Sequence, residues 1–265
     1  MLVSAKIIGA GLATIGLASA GLVGNSGFVK GAGFVIGAGF VRGAGFVNRS
    51  YSIKRLTNVQ RDSFSVTPDI HNILIGSLLG DLHINKQHNS INSRLMFKQG
   101  LINEAYILHL YDLFKDYCGS GPIYSDHISD KKKTGKINSS IRFVTYSLPC
   151  FNNYYDLFYV NKVKRIPKNI GELLTSVSLA YWAMDDGSIK NKGFIFCTDS
   201  YTFEEVQLLV NVLKQNFDLN CSIHKMTEKE QYRIYIKLDS MDKFRALVTP
   251  HFHESMMYKL AVKTD

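Results

Sequence analysis

Two apolar segments that each end in an acidic residue, one in each half of the chain, constrain the fold more than any other feature. The first reads LIGSLLGDL at residues 74–82 and the second reads LAYWAMDDG at residues 179–187. Each predicts a buried helix that delivers a carboxylate at its C-terminal end. Gly76 and Gly80 share one helix face, as Ala180 and Ala183 nearly do, and small residues let two helices approach closely.

The order of predicted elements after each apolar helix is the same. In the first half, strands are predicted at 83–85 and 93–98, a helix at 103–117, a hairpin at 123–146 and a helix at 149–159. In the second half, strands are predicted at 188–190 and 194–198, a helix after the capping box at 202–205, strands at 222–226 and 233–238 and a helix from 240. This internal duplication predicts a pseudo-two-fold molecule with halves at 66–169 and 170–265.

The two acids favour a metal site. A carboxylate at the C-terminus of a helix is unfavourable against the helix dipole, so two of them meeting at a pseudo-two-fold axis favour a cation between them. Carboxylate and carbonyl oxygens are hard ligands that suit Mg²⁺ or Mn²⁺. We therefore predict Asp81 and Asp186 as metal ligands and expect Asp185 to face away or to offer only its carbonyl. The alternative is that each acid only solvates an exposed helix end.

The charge distribution favours a polyanionic partner. The formal net charge is +9, and residues 1–50 hold four basic residues and no acid, which leaves +5 (9 − 4) for the remainder. In the segment 233–238, Arg233, Tyr235 and Lys237 alternate with Ile234, Ile236 and Leu238, which predicts one polar and one buried strand face. The sequence contains no CxxC pair, which would indicate a zinc site. It also contains no His-Asn-His or PD-(D/E)xK pattern, which would indicate another class of nuclease.

The two nine-residue segments resemble the motif of the LAGLIDADG homing endonuclease family, with the eighth position acidic in both. Similarity to a mitochondrial intron-encoded member spans roughly residues 70–262, at LAYW (179–182), YTFEEV (201–206), FDLNC (217–221) and SMMYKL (255–260). Leu82 replaces the terminal glycine of the first motif and Tyr181 the third-position glycine of the second. The resemblance implies an α/β (α+β) fold with two pseudo-symmetric halves. In each, a saddle-shaped antiparallel sheet carries helices, and the motif helices pack at the interface.

The same resemblance implies the activity: Mg²⁺-dependent (or Mn²⁺-dependent) hydrolysis of double-stranded DNA by a monomer. Lys164 and Lys259 stand where the family has lysines beside the scissile phosphates, and Gln99 stands where it has a water-organising glutamine. Thr198 occupies the place of Gln99 in the second half. A maturase that assists splicing of its own intron RNA is the alternative; it would not need the acids, so their retention favours the nuclease.

DNA recognition is expected on the polar sheet faces, because sheets can enter the major groove and place alternating side chains against base edges. The basic tip at 131–136 is expected to contact phosphates. Eight basic residues are the candidate DNA contacts: Arg94, Lys98, Arg142, Lys190, Lys192, Lys225, Arg233 and Lys237.

The first 50 residues differ from the rest. An apolar run at 7–23 precedes a glycine-rich six-residue repeat, and residues 4–18 resemble the start of mitochondrial ATP synthase subunit c. We expect an exon-derived extension, able to contact a membrane but not catalytic, and a mitochondrial location. The expected target is then the intronless subunit c gene. A membrane interaction protein built on residues 1–50 is a further alternative, which leaves the paired motifs unexplained.

Overall fold

The computed structural model describes residues 55–87, 90–129, 136–226 and 230–261, and residues from Ser50 to Asp265 belong to one compact unit. The expected extension at 1–50 and the basic tip at 131–135 lie outside the described residues. None of the helices within the described ranges is long and apolar enough to cross a membrane.

The described chain alternates helices with antiparallel strands. The first half comprises α1 (Asn58–Asp62), α2 (Pro68–Leu79), β1 (His83–Asn85), β2 (Arg94–Gly100), α3 (Glu104–Phe114), β3 (Ile123–Ser129), β4 (Lys136–Val144), α4 (Asn152–Phe158), β5 (Tyr159–Val160) and β6 (Val163–Lys164). The second comprises α5 (Ile170–Leu173), α6 (Ser176–Asp186), β7 (Gly187–Lys190), β8 (Gly193–Phe196), α7 (Phe203–Phe217), β9 (Cys221–Lys225), β10 (Tyr232–Ile236) and α8 (Met241–Val248). A 3₁₀ segment, Glu254–Leu260, follows.

The two larger sheets have the same topology. Their strand orders are β1-β2-β4-β3 and β7-β8-β10-β9, all antiparallel, so each strand of the first sheet has a counterpart in the second. Each half begins with a buried helix, α2 or α6, that leads directly into the first strand of its sheet. The predicted mixed fold with two pseudo-symmetric, helix-bearing antiparallel sheets is confirmed.

The two apolar helices start at threonine caps and pack against each other. In α2, the side chain of Thr67 accepts a hydrogen bond from the N–H of Ile70, and Pro68 is the first helical residue. In α6, the side chain of Thr175 accepts a hydrogen bond from the N–H of Ser178. All residues from 73 to 79 and from 178 to 184 are buried, as expected for helices enclosed on every side. A Cβ at Gly76 would lie 2.2 Å from the carbonyl oxygen of Ser178, so this glycine is what lets the backbones approach.

Aromatic side chains fill the core on one face of each sheet. Phe97 stacks on Phe143 with ring centroids 4.5 Å apart in the first half, and Trp182 stacks on Phe196 at 4.0 Å in the second. Helices α3 and α7 pack on these faces. The opposite faces of both sheets are left open, and the residues on them are set by strand pairing.

Two details differ from the sequence-based expectation. Leu238 was expected on the buried face of β10, but the strand ends at Ile236 and Leu238 begins a 3₁₀ turn in which it is 58% exposed. The short hairpin of β5 and β6 was not predicted. Its turn uses Asn161 and Lys162 at φ 51° and 65°, a left-handed conformation that glycine usually provides.

Candidate functional site

The C-terminal ends of α2 and α6 meet and bring three carboxyl groups together. Asp81 follows the helix cap Gly80, and Asp186 is the last residue of α6. The N–H of Asp81 donates to Oδ2 of Asp185 at 3.3 Å across the interface between the halves. Asp186, the next residue along α6, is near enough to Asp81 for the charge of Asp81 to raise its pKa. The structure therefore places both predicted ligands, Asp81 and Asp186, near the pseudo-two-fold axis.

The carboxyl groups of the second half are in an unfavourable environment for negative charge. Burial, together with the nearby charge of Asp81, raises the pKa of Asp186 to about 7, although Lys164 and Lys259 act to lower it. Burial also raises the pKa of Asp185 above its ordinary value, with Asp81 as the next cause. Ionisation of these two carboxyl groups is therefore disfavoured in the absence of a further cation.

The expectation for Asp185 was wrong. Its side chain points into the interface, where Oδ1 accepts a hydrogen bond from the Tyr106 hydroxyl at 2.9 Å in addition to the contact with the N–H of Asp81. The equivalent position in the first motif is Gly80, and a Cβ there would lie 2.4 Å from the Cβ of Asp185. The side chain of one motif therefore occupies the space left by the glycine of the other.

The two predicted lysines occupy equivalent positions in the halves. Nζ of Lys164 donates to the carbonyl oxygens of Gly80 at 2.7 Å and Leu82 at 3.0 Å. Nζ of Lys259 donates to the carbonyl oxygens of Met184 and, at 3.1 Å, Asp185.

Each lysine thus caps the C-terminal end of the motif helix in its own half, where a cation is favoured by the helix dipole. Burial lowers the pKa of Lys164 to about 8 and also lowers the pKa of Lys259. Asp81, Asp185 and Asp186 act to raise both pKa values, so both lysines are near the three carboxyl groups.

The halves differ in what supports each acid. Nε2 of Gln99 donates to Oδ2 of Asp81 at 2.8 Å, and Oε1 of Gln99 accepts from Asn103 at 3.0 Å, which fixes the orientation of the amide. Thr198, at the equivalent place in the second half, is buried and donates to the carbonyl oxygen of Tyr232 at 2.6 Å. Asn103 was not identified from the sequence, because no motif marks it.

The donor set at the axis fits a hard divalent cation. Asp81 and Asp186 supply carboxylate oxygens. Burial and Asp81 raise the pKa of Asp186, and a cation bound beside it would favour its ionised form. Within the described ranges, no cluster of three or more His, Cys, Asp or Glu side chains is arranged to chelate a metal. A cation held here would therefore take its remaining ligands from water and from the substrate, as Mg²⁺ commonly does.

The open face of the first sheet carries unpaired positive charge. Lys98 on β2 is directly opposite Arg142 on β4, and like charges at such positions repel unless an anion neutralises them. Neither side chain takes part in an ion pair with any residue that the structure describes. Arg94 is four residues before Lys98 on the same strand, so it lies on the same face of the sheet. This face is thus suited to a polyanion.

The open face of the second sheet is only partly as predicted. Lys190 lies on it, and so does Arg233, which forms a two-point ion pair with Asp199 at 2.7 and 2.5 Å. Lys192 lies in the turn between β7 and β8, and Lys237 follows the end of β10; both are exposed.

Lys225 does not lie on the open face. It pairs with Tyr232, on the side of β9 and β10 that carries Ile223 and Ile234, so its placement on the recognition face was wrong. The register instead puts Ser222 and His224 on the open face, and the ring of His224 stacks on Tyr235 with centroids 5.0 Å apart. The alternation of side chains along β9 identifies these two residues only after the register of the strand is known.

Comparisons with known proteins agree on one family. A model of the LAGLIDADG DNA endonuclease family matches residues 71–244. The chain is 34% identical over 195 residues to the probable intron-encoded endonuclease 1 of Wickerhamomyces canadensis, covering 71% of this chain and 81% of that protein. It is 32% identical over 202 residues to the cytochrome b mRNA maturase bI2 of Saccharomyces cerevisiae, covering 72% of this chain and 47% of the maturase, so it spans about half of that relative.

Among solved structures, the chain resembles the homing endonuclease I-WcaI bound to its DNA recognition sequence. The TM-score is 0.70 at 31% sequence identity, and the match covers 76% of this chain and 89% of that one.

Proposed function

This chain belongs to the LAGLIDADG DNA endonuclease family, and from that membership we propose that it is a homing endonuclease making a site-specific double-strand break in DNA. The observation that carries the proposal is the junction of the two motif helices. There Asp81 contacts Asp185 and acts electrostatically on the neighbouring Asp186, and one lysine from each half caps its own helix end. The open faces of the two sheets are the proposed DNA-binding surface.

The proposed chemistry is metal-assisted phosphodiester hydrolysis. Asp81 and Asp186 would hold Mg²⁺ or Mn²⁺, which lowers the pKa of a bound water and stabilises charge on the departing oxygen. Lys164 and Lys259 place ammonium groups where they can stabilise negative charge on the reacting phosphates. Gln99, held by Asn103, orients the Asp81 carboxylate.

The proposed target and location follow from the N-terminal residues. The resemblance of residues 4–18 to ATP synthase subunit c supports fusion of an intron reading frame to that exon. A homing endonuclease would then cut the intronless subunit c gene in the mitochondrion. We propose that residues 1–50 take no part in cutting, because both acids, both lysines and both sheets lie after them.

A second function has a specific observation in its favour. Two relatives at 32% identity are named cytochrome b mRNA maturases. Binding of the chain's own intron RNA is therefore the alternative, and it would leave Asp81 and Asp186 without a task.

The test uses two DNA substrates and one RNA. The protein is incubated with Mg²⁺ and duplex DNA carrying the continuous subunit c sequence, or with the same duplex interrupted by the intron. Cleavage of the continuous duplex alone is expected. Cleavage of neither DNA, together with accelerated splicing of the intron RNA, would replace the nuclease by the maturase. Cleavage of a different sequence would refute the target and leave the nuclease standing.

A further inference from the structure

A groove of about 190 Å³ lies beside β1, outside the residues assigned above to catalysis and recognition. We call it the β1 groove; its lining includes His83, Lys86, Tyr155, Tyr159 and Lys162. The rings of Tyr155 and Tyr159 are stacked, with centroids 5.0 Å apart and planes 3° apart. The Tyr159 hydroxyl accepts from the N–H of Ile84 at 3.2 Å, which covers the outer edge of β1 and fixes this wall of the groove.

The charge in the β1 groove has one sign. Nζ of Lys86 stands 5.7 Å from the centre of the Tyr155 ring, and Lys162 enters from the turn between β5 and β6. Neither lysine forms an ion pair with a described residue, and no acid lines the groove. Two uncompensated cations beside an aromatic wall are the features that proteins use to hold a nucleic-acid strand, through phosphates and through stacking.

The position of the groove indicates which nucleic acid it meets. His83 is on β1, which follows Asp81, and Lys164 is on β6 and contacts the carbonyl oxygens of Gly80 and Leu82. One end of the groove, at His83, is therefore two residues along the chain from Asp81, on the side of the proposed metal site where Lys164 caps α2. Beside β7 in the second half, the 3₁₀ segment Glu254–Leu260 replaces the hairpin, and none of the ring contacts among described residues involves Tyr258.

We propose that the β1 groove binds the phosphodiester backbone of duplex DNA on the first-half side of the cleavage centre. Lys86 and Lys162 each contact one phosphate, and Tyr155 packs against the adjoining sugar or base. The inference rests on the proposed function, because it takes DNA as the ligand. It makes the contacts that flank the cleavage centre unequal between the two halves.

The test compares two charge-matched double variants of the full chain. Binding of a short random-sequence duplex is followed by fluorescence anisotropy in Ca²⁺ between about 50 and 200 mM KCl. Lys86→Ala with Lys162→Ala should lower the slope of log K against log salt by roughly 1.8, since each lost phosphate contact contributes roughly 0.9. Lys168→Ala with Lys214→Ala removes the same charge from exposed positions away from the groove and should leave the slope within about 0.5 of the wild type.

A third variant, Tyr155→Leu, should weaken binding several-fold without changing the slope. Equal slopes for the two double variants would overturn the proposal, and so would a loss confined to binding of single-stranded RNA. The binding measurement needs no cleavage, so it separates the two ideas. A wild-type protein that binds duplex DNA through the β1 groove but cuts none would refute the proposed function and retain the groove.

Discussion

Gly76→Ala is the sharpest test of the helix packing on which the site depends. A Cβ at this position would lie 2.2 Å from the carbonyl oxygen of Ser178 and 2.9 Å from its carbonyl carbon and Cα. All three atoms belong to the backbone, so no side-chain rotation can relieve the contact. The substitution must move α2 and α6 apart, and with them the ends that carry Asp81 and Asp186.

The sign of the effect separates this reasoning from simple helix propensity. In a helix interior without steric conflict, alanine is more stable than glycine by about 0.5–1 kcal/mol. Overpacking a filled interior costs about 1–3 kcal/mol. Because the conflict at Gly76 is with backbone, we expect the upper part of that range and a net loss of about 2 kcal/mol in the free energy of unfolding.

Urea unfolding followed by circular dichroism gives the measurement. Gly100→Ala is the matched control, because the nearest atom to its Cβ would be Cγ2 of Ile102 at 3.9 Å, and it should change stability by less than about 0.5 kcal/mol. Gly80→Ala should also destabilise, but its conflict is with the side chain of Asp185. The nearest conflicting atom is the Cβ of Asp185 at 2.4 Å, so in a double-mutant cycle Asp185→Gly, which removes that atom, should recover part of the loss. A Gly76→Ala protein as stable as the wild type would refute the close approach of the helices.

Four further predictions concern the carboxylates and their neighbours. Burial and Asp81 raise the pKa of Asp186 to about 7 from 3.8, so the metal-free protein should lose stability as pH rises between these values. Asp186→Asn should reduce this loss, with the remainder due to Asp185, measured by urea midpoints at both ends of the range. Asp81→Asn or Asp186→Asn should abolish double-strand cleavage of plasmid while duplex binding persists; equal loss of both would count against the metal site. Lys164→Ala and Lys259→Ala should each slow single-turnover cleavage on the order of 10²-fold, and wild-type rates would remove them from the site. Gln99→Ala should make nicked DNA accumulate, because Asp81 loses its donor and Asp186 is untouched; unchanged strand balance on a gel would contradict this.

Much of the fold was predictable because its signals are local. Threonine caps precede both apolar helices, and the capping box of Thr202 and Glu205 begins α7 as expected. The hairpin of β5 and β6 escaped prediction because its turn has neither glycine nor proline, and Asn161 and Lys162 adopt positive φ instead. Tertiary packing decides that conformation.

The parts of the site that were missed depend on pairing between distant segments. Side chains alternate along the strand that carries Lys225, but alternation does not show which of its two faces is open. Only the pairing of Lys225 with Tyr232 shows that Lys225 lies on the same face as Ile223 and Ile234. The direction of the Asp185 side chain depends on the absence of a side chain at Gly80 in the other half, which no single segment reveals. Asn103 acts through Gln99, which comes from the preceding strand.

The asymmetry between the halves has a consequence for recognition. In a two-fold homodimer both subunits present the same surface, which suits a palindromic site. Here one chain carries both halves, and their open faces differ: Lys98 faces Arg142 on the first, whereas the second has Arg233 tied to Asp199. The ion pair with Asp199 fixes the orientation of the Arg233 guanidinium, whereas Lys98 and Arg142 mainly attract phosphate. The two faces therefore offer different contacts to DNA. The proposed target therefore needs no internal symmetry, as expected for a sequence taken from within a coding region.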